Sequence, residues 1–114
     1  MTLITKAQRE AMLENGRLSA AGQDIDPAPI VKLFTPDGAA TWLLTELDPA
    51  DPDIAFGLCD LGMQCPELGS VRISEIAEVR GKLGLPVERD RHFTADKPLS
   101  AYARAAHRAG AIRT

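Results

Sequence analysis

Residues 30–73 read IVKLFTPDGAATWLLTELDPADPDIAFGLCDLGMQCPELGSVRI. Apolar and β-branched runs of four to eight residues alternate here with turn punctuation, which is the pattern of strands joined by short connections. The spacing predicts strands over Ile30–Thr35, Thr41–Leu47, Ile54–Asp60 and Leu68–Ile73. Thr35-Pro36-Asp37-Gly38 reads as a turn in which Pro presets φ and Gly supplies a positive φ. Asp48-Pro49 stops the second strand, and Ala50-Asp51-Pro52-Asp53 continues that turn. Connections this short favour an antiparallel meander. Ile30 and Phe34 are expected on one face of the first strand, with Val31 and Leu33 on the other. Trp42 and Leu44 oppose Leu43 and Leu47 in the same way. Strands that are apolar on both faces need cover on both faces, so the fold class is α+β, not a bare sheet.

The helices to supply that cover are legible on either side. Thr5 and Gln8 stand at capping-box spacing, and a first helix is expected over Thr5–Asn15, ended by Gly16 in a left-handed conformation. Ser74 is expected to cap a middle helix whose buried stripe is Ile76, Val79 and Leu83. Val87–Phe93 (VERDRHF) reads as extended. Leu99–Ala109 reads as a C-terminal helix with Leu99, Tyr102, Ala103 and Ala106 on its buried face and Arg104, His107 and Arg108 on the other. The expectation is one α+β domain over 1–114, with about four antiparallel strands and three flanking helices.

The composition is that of a globular chain, 45% hydrophobic and 25% charged over 114 residues, which argues against disorder. No run of eighteen apolar residues occurs, so no membrane span is expected. The start of the chain lacks a cationic segment followed by a long apolar core, so it does not read as a secretory signal. A cytoplasmic location is expected, and in a reducing compartment Cys59 and Cys65 are expected as free thiols that act as small buried hydrophobes.

Charge is segregated. The stretch up to Lys32 is balanced, the stretch between Lys32 and Arg72 has seven acidic residues and no Lys or Arg, and the stretch from Arg72 onward carries +4, for a net charge of −3. The acidic stretch contains Glu46, Asp48, Asp51, Asp53 and Asp60. It suits a surface complementary to a protein partner with a basic, nucleic-acid-binding surface, although Asp is also a favoured residue of solvated turns. The overall acidity makes direct nucleic-acid binding a poor expectation.

Glu88, Asp90 and His92 alternate with Arg89 and Arg91. In an extended segment the first three share a side, and two carboxylates beside an imidazole can hold a divalent metal or orient a general base. That arrangement would suit a metal-dependent hydrolase or nuclease. The bland alternative is a charged edge strand, with Arg89 paired to a sheet carboxylate and Phe93 anchored in the core. Cys59 and Cys65 with His92 and His107 have no zinc-ligand spacing. Phosphate loops, serine elbows and HExxH are absent. No cofactor is expected, and a binding protein is favoured over an enzyme.

Several of these segments also resemble one bacterial family, the domain-of-unknown-function family 2958. The resemblance lies in Phe34-Thr35-Pro36, Phe56-Gly57-Leu58, Pro66-Glu67-Leu68-Gly69, Leu85-Pro86, Glu88-Arg89-Asp90 and His92-Phe93 and spans nearly the whole chain. The loop Gly62-Met63-Gln64-Cys65 is slightly longer than the family pattern. The resemblance implies a gene carried on plasmids, integrative elements or phages, beside replication, partition and anti-restriction genes. It implies no activity and no catalytic residue.

Overall fold

The computed structural model describes residues 3–114. Its elements in chain order are α1 (Lys6–Ala20), β1 (Val31–Phe34), β2 (Thr41–Asp48), β3 (Asp51–Asp60), β4 (Glu67–Arg72), α2 (Ile73–Glu78), β5 (Glu88–Arg89) and α3 (Leu99–Ala109). The strands form one antiparallel sheet in the order β4-β3-β2-β1-β5. The α+β meander expected from the sequence is therefore the fold, with β5 as a fifth, two-residue strand on one edge.

The capping box forms as read. The Gln8 backbone N–H donates to Thr5 Oγ1 at 3.1 Å, and the Thr5 N–H donates to Gln8 Oε1 at 2.9 Å. The helix does not stop at Gly16, however; it runs on to Ala20. Gly16 is instead a point of contact. A Cβ built on it would lie 1.8 Å from the Leu47 carbonyl oxygen and 3.2 Å from Pro49 Cδ. Only glycine lets the helix backbone come so near the end of β2. The Asn15 amide donates to the Thr45 carbonyl at 2.9 Å and Ser19 Oγ to Glu46 Oε2 at 2.7 Å, fixing α1 along β2 on both sides of that contact.

The faces divide almost as the alternation predicts. Met12 of α1 and Ile76 of α2 pack with Val31, Leu33, Trp42, Leu44, Leu47 and Ala55. On the other face Leu99, Tyr102, Ala103 and Ala106 of α3 pack with Leu43 and Leu58. The exceptions are Ile30, which precedes β1 and packs with the Val31 and Leu33 side, and Leu47, which joins Trp42 and Leu44 instead of Leu43. The cause for Leu47 is a bulge: Leu44 pairs with Gly57 and Glu46 with Phe56, leaving Thr45 as an extra residue that shifts the parity of everything beyond it. Thr45 is buried and its hydroxyl donates to the Phe56 carbonyl at 3.2 Å. Gly57 makes the bulge possible, since a Cβ there would lie 2.0 Å from the Leu43 oxygen.

Four local expectations are corrected. Gly38 does not take a positive φ; the turn closes through a Gly38 N–H to Thr35 carbonyl bond of 3.3 Å and the Thr35 hydroxyl accepts from the Ala40 N–H at 2.9 Å. β3 begins at Asp51, not Ile54, and tolerates Pro52 because the ladder to β2 is interrupted between Asp51 and Ala55. The middle helix ends at Glu78, leaving Leu83 81% exposed. Ser74 is not its cap; it lies one residue inside the helix, and Asp53 of β3 accepts from its N–H at 2.9 Å and its hydroxyl at 2.6 Å. Among the described residues no helix is long and apolar enough to cross a membrane.

Candidate functional site

The carboxylates of the cation-free stretch have three different fates. Asp60 is buried inside the fold: its Oδ1 accepts from the Gly62 N–H at 2.8 Å and its Oδ2 from the Ile112 N–H at 2.9 Å. It ties the β3–β4 loop to the segment after α3 and is no part of any surface. Glu46 is half-buried against α1 through Ser19. Asp48, Asp51 and Asp53 remain at the tip of the β2–β3 hairpin, where Asp48 and Asp51 are directly opposed across the two strands. The sequence places these three together, and the structure does bring them to one tip.

That tip is only partly neutralised. Arg72 Nη1 reaches Asp51 Oδ2 at 3.1 Å and Asp53 Oδ2 at 3.5 Å. Asp53 is held below the usual carboxylate range, chiefly by the Ser74 hydroxyl and then by the Ser74 N–H, with Arg72 adding a smaller effect. Asp48 is exposed, and its Oδ1 accepts the Ala50 N–H at 2.9 Å within the turn. Sequence reading did not single out Arg72. Its signal was positional: Lys32 and Arg72 are the two cations that bound the acidic stretch, and each is bound to acid in the fold.

Lys32 serves the second candidate segment. Its Nζ lies 3.3 Å from Asp90 Oδ2, while Asp90 Oδ1 accepts the His92 N–H at 2.9 Å. The carboxyl of Asp90 is lowered by the His92 N–H first, with Lys32 and the charge of His92 adding to it. Glu88, Asp90 and His92 do line one shallow cavity of about 320 Å³, together with Phe34, Arg89 and Arg91. They do not converge there: among the described residues no three His, Cys, Asp or Glu side chains gather in a metal-holding group. The extended stretch is also shorter than expected: Glu88 and Arg89 pair with β1, the Asp90 N–H donates to the Lys32 carbonyl at 2.9 Å, and the chain turns at Arg91. Arg89 Nη1 donates to the Leu3 carbonyl at 3.1 Å, which fastens the start of the described chain to the sheet edge. Phe93 does anchor the segment, packing at 6.2 Å between ring centroids against Tyr102.

Both cysteines are free thiols. Burial pushes the Cys59 thiol up to about 11. Cys65 departs from the buried expectation: it is exposed on the β3–β4 loop, its Sγ 3.8 Å from Glu67 Oε1.

The remaining open ground lies around β4, the outermost strand at the end of the sheet opposite β5. Between β4 and α2 a cavity of about 460 Å³ is lined by Trp42, Ile54, Val71, Ile76 and Val79, with Arg72 and Glu75 on it. A second cavity, of about 660 Å³, lies on the far side of α2 beside Asp51, Pro52 and Asp53. A family model described as "Protein of unknown function (DUF2958)" matches residues 3–113. No curated protein and no solved structure matches the chain.

Proposed function

We propose that the chain, which belongs to the DUF2958 family, is a small non-enzymatic accessory protein that binds a protein partner through the acidic tip of its β2–β3 hairpin. The partner it suits presents a basic surface of the kind that ordinarily contacts nucleic acid. The setting that the family resemblance implies extends the proposal: a plasmid-, phage- or integrative-element factor that occupies a host defence or nucleic-acid-processing protein.

The observation that carries this reading is the facing of Asp48 and Asp51 across the hairpin. Like charges directly opposed on a sheet cost stability. Among the described residues Arg72 is the cation that ion-pairs at the tip; it is shared between Asp51 and Asp53 and does not reach Asp48. A basic partner would relieve that repulsion, so the arrangement gains on association what it loses in the free chain. The tip repels phosphate for the same reason, which supports a protein partner over nucleic acid in this reading.

A second reading, a metal-dependent hydrolase or nuclease, draws on the cavity shared by Glu88, Asp90 and His92. Both oxygens of Asp90 are already engaged, by Lys32 and by the His92 N–H, which weighs against it. Affinity capture from host-cell lysate with the wild-type chain and with Asp48→Asn/Asp51→Asn tests the choice. A basic protein retained by the first and released by the second supports the binding reading. A capture indifferent to the two carboxylates removes its basis.

A further inference from the structure

We infer that the outer edge of β4 receives an extended segment of the protein partner as a sixth strand of the sheet. The inference rests on the reading of the chain as a protein-binding module and adds where, and in what conformation, a partner is held.

An edge strand presents a row of unpaired N–H and C=O groups, and proteins usually blunt it with short length, Lys, Pro or a bulge. The β5 edge is blunted in this way, being two residues long. The β4 edge is not. Glu67–Arg72 is six residues, its ladder with β3 is regular from end to end, and it contains no Lys or Pro. Its one basic residue, Arg72, is turned to Asp51 and Asp53. Among the described residues no segment hydrogen-bonds to its outer side.

Side chains of an added strand would alternate between the two faces of the sheet, and the apolar ground lies chiefly on one of them. On one face is the cavity of about 460 Å³ whose apolar walls are Trp42, Val71, Ile76 and Val79. On the other is Leu68, 46% exposed. Charge decides which segment fits. Glu67 opens the strand and Glu75 stands beyond its end, both exposed. The segment is therefore extended, apolar at alternate positions, and carries Lys or Arg toward its ends.

A second copy fits the edge less well. Antiparallel self-pairing about a two-fold axis sets Glu67 opposite Val71 when centred on Gly69, or Leu68 opposite Arg72 when centred on Ser70. Either register opposes charge to apolar surface and joins two chains of net charge −3.

The test selects peptides from a random phage-displayed library against the whole chain. Each selected peptide is then made in two forms, N-methylated at one or the other alternate set of backbone amides. Strand addition predicts that one form loses at least about tenfold in affinity while the other keeps it, because only one set of amides faces β4. It also predicts slowed hydrogen exchange at alternate β4 amides in the complex. Equal binding by the two forms, unchanged β4 exchange, failure to select any peptide, or dimerisation of the chain through β4 each overturns the inference. The two readings fail separately. Peptide binding sensitive to N-methylation but with partner capture indifferent to Asp48→Asn/Asp51→Asn keeps the edge and removes the tip. Capture lost in that variant, with β4 amides unprotected by the partner, does the reverse.

Discussion

Replacing Gly16 by Ala sets helix propensity against tertiary contact and so tests how α1 is held. Propensity alone favours the change, since Ala in a helix interior is better than Gly by about 1 kcal/mol. The contact opposes it. The new Cβ would sit 1.8 Å from the Leu47 carbonyl oxygen and 3.0 Å from its carbon. Both are backbone atoms of a buried strand residue, so no rotamer change relieves the clash. The helix must retreat from the end of β2 by about an ångström or more, and overpacking of that kind costs roughly 1–3 kcal/mol. The retreat also stretches the bonds from Asn15 to Thr45 and from Ser19 to Glu46, which flank the contact. Each contributes about 1 kcal/mol. The net expectation is a loss of roughly 2–4 kcal/mol, which for a chain of this size lowers the melting temperature by roughly 8–16 °C. Urea unfolding followed by tryptophan fluorescence measures it, because Trp42 lies in the core that α1 covers. A Gly16→Ala protein as stable as the parent, or more stable, would refute the contact and return α1 to an ordinary surface helix.

Two further outcomes are expected. The carboxyls of Asp26, Asp53 and Asp90 are all lowered in the folded chain, by Ser100, Ser74 and the His92 N–H respectively. A lowered folded value gives stability that is fully present above the unfolded carboxyl pKa of about 3.9 and is lost as pH falls through the folded value. Melting temperature should therefore fall modestly in acid below about pH 4, since all three groups are at least partly exposed to solvent. Asp53→Asn, which can still accept from Ser74 but does not titrate, should show a shallower acid limb; parallel limbs for the two proteins would count against this assignment. Thiol titration of the native chain should find Cys65 fast and Cys59 slow, since Cys65 is exposed and the Cys59 thiol is pushed up to about 11. Equal rates at both would show that Cys59 is not shielded.

What could be read from the sequence was what local chemistry decides. The Thr5–Gln8 box, the bounds of α3 and its four buried residues, and the succession of strands follow from spacing and turn residues. Long-range contact decided the rest. Gly16 looks like a helix stop until β2 is laid beside it. Leu47 changes face because of one unpaired residue, Thr45, which no periodicity shows. Ser74 has the composition of a cap, but Asp53 reaches it from another strand and the helix begins before it. The acidic stretch was visible as a block, yet only the fold separates the interior Asp60 from the exposed Asp48. The Glu88-Asp90-His92 alternation was visible too. The competing claim of Lys32 on Asp90 comes from a strand some sixty residues earlier in the chain.

The proposed function depends most directly on Asp48 being a charge that the free fold bears at a cost. Asp48→Asn keeps an oxygen for the Ala50 N–H, which Asp48 Oδ1 accepts at 2.9 Å, and removes only the charge that faces Asp51. Equilibrium unfolding of this variant and the parent, at low and at high salt, is the measurement. The account predicts a gain of roughly 0.2–1 kcal/mol at low salt, the range for an opposed like-charge pair. The gain should shrink as salt screens the tip. A variant that is less stable than the parent at low salt would mean that Asp48 supports the hairpin, and the acidic tip would lose its claim to be a binding surface.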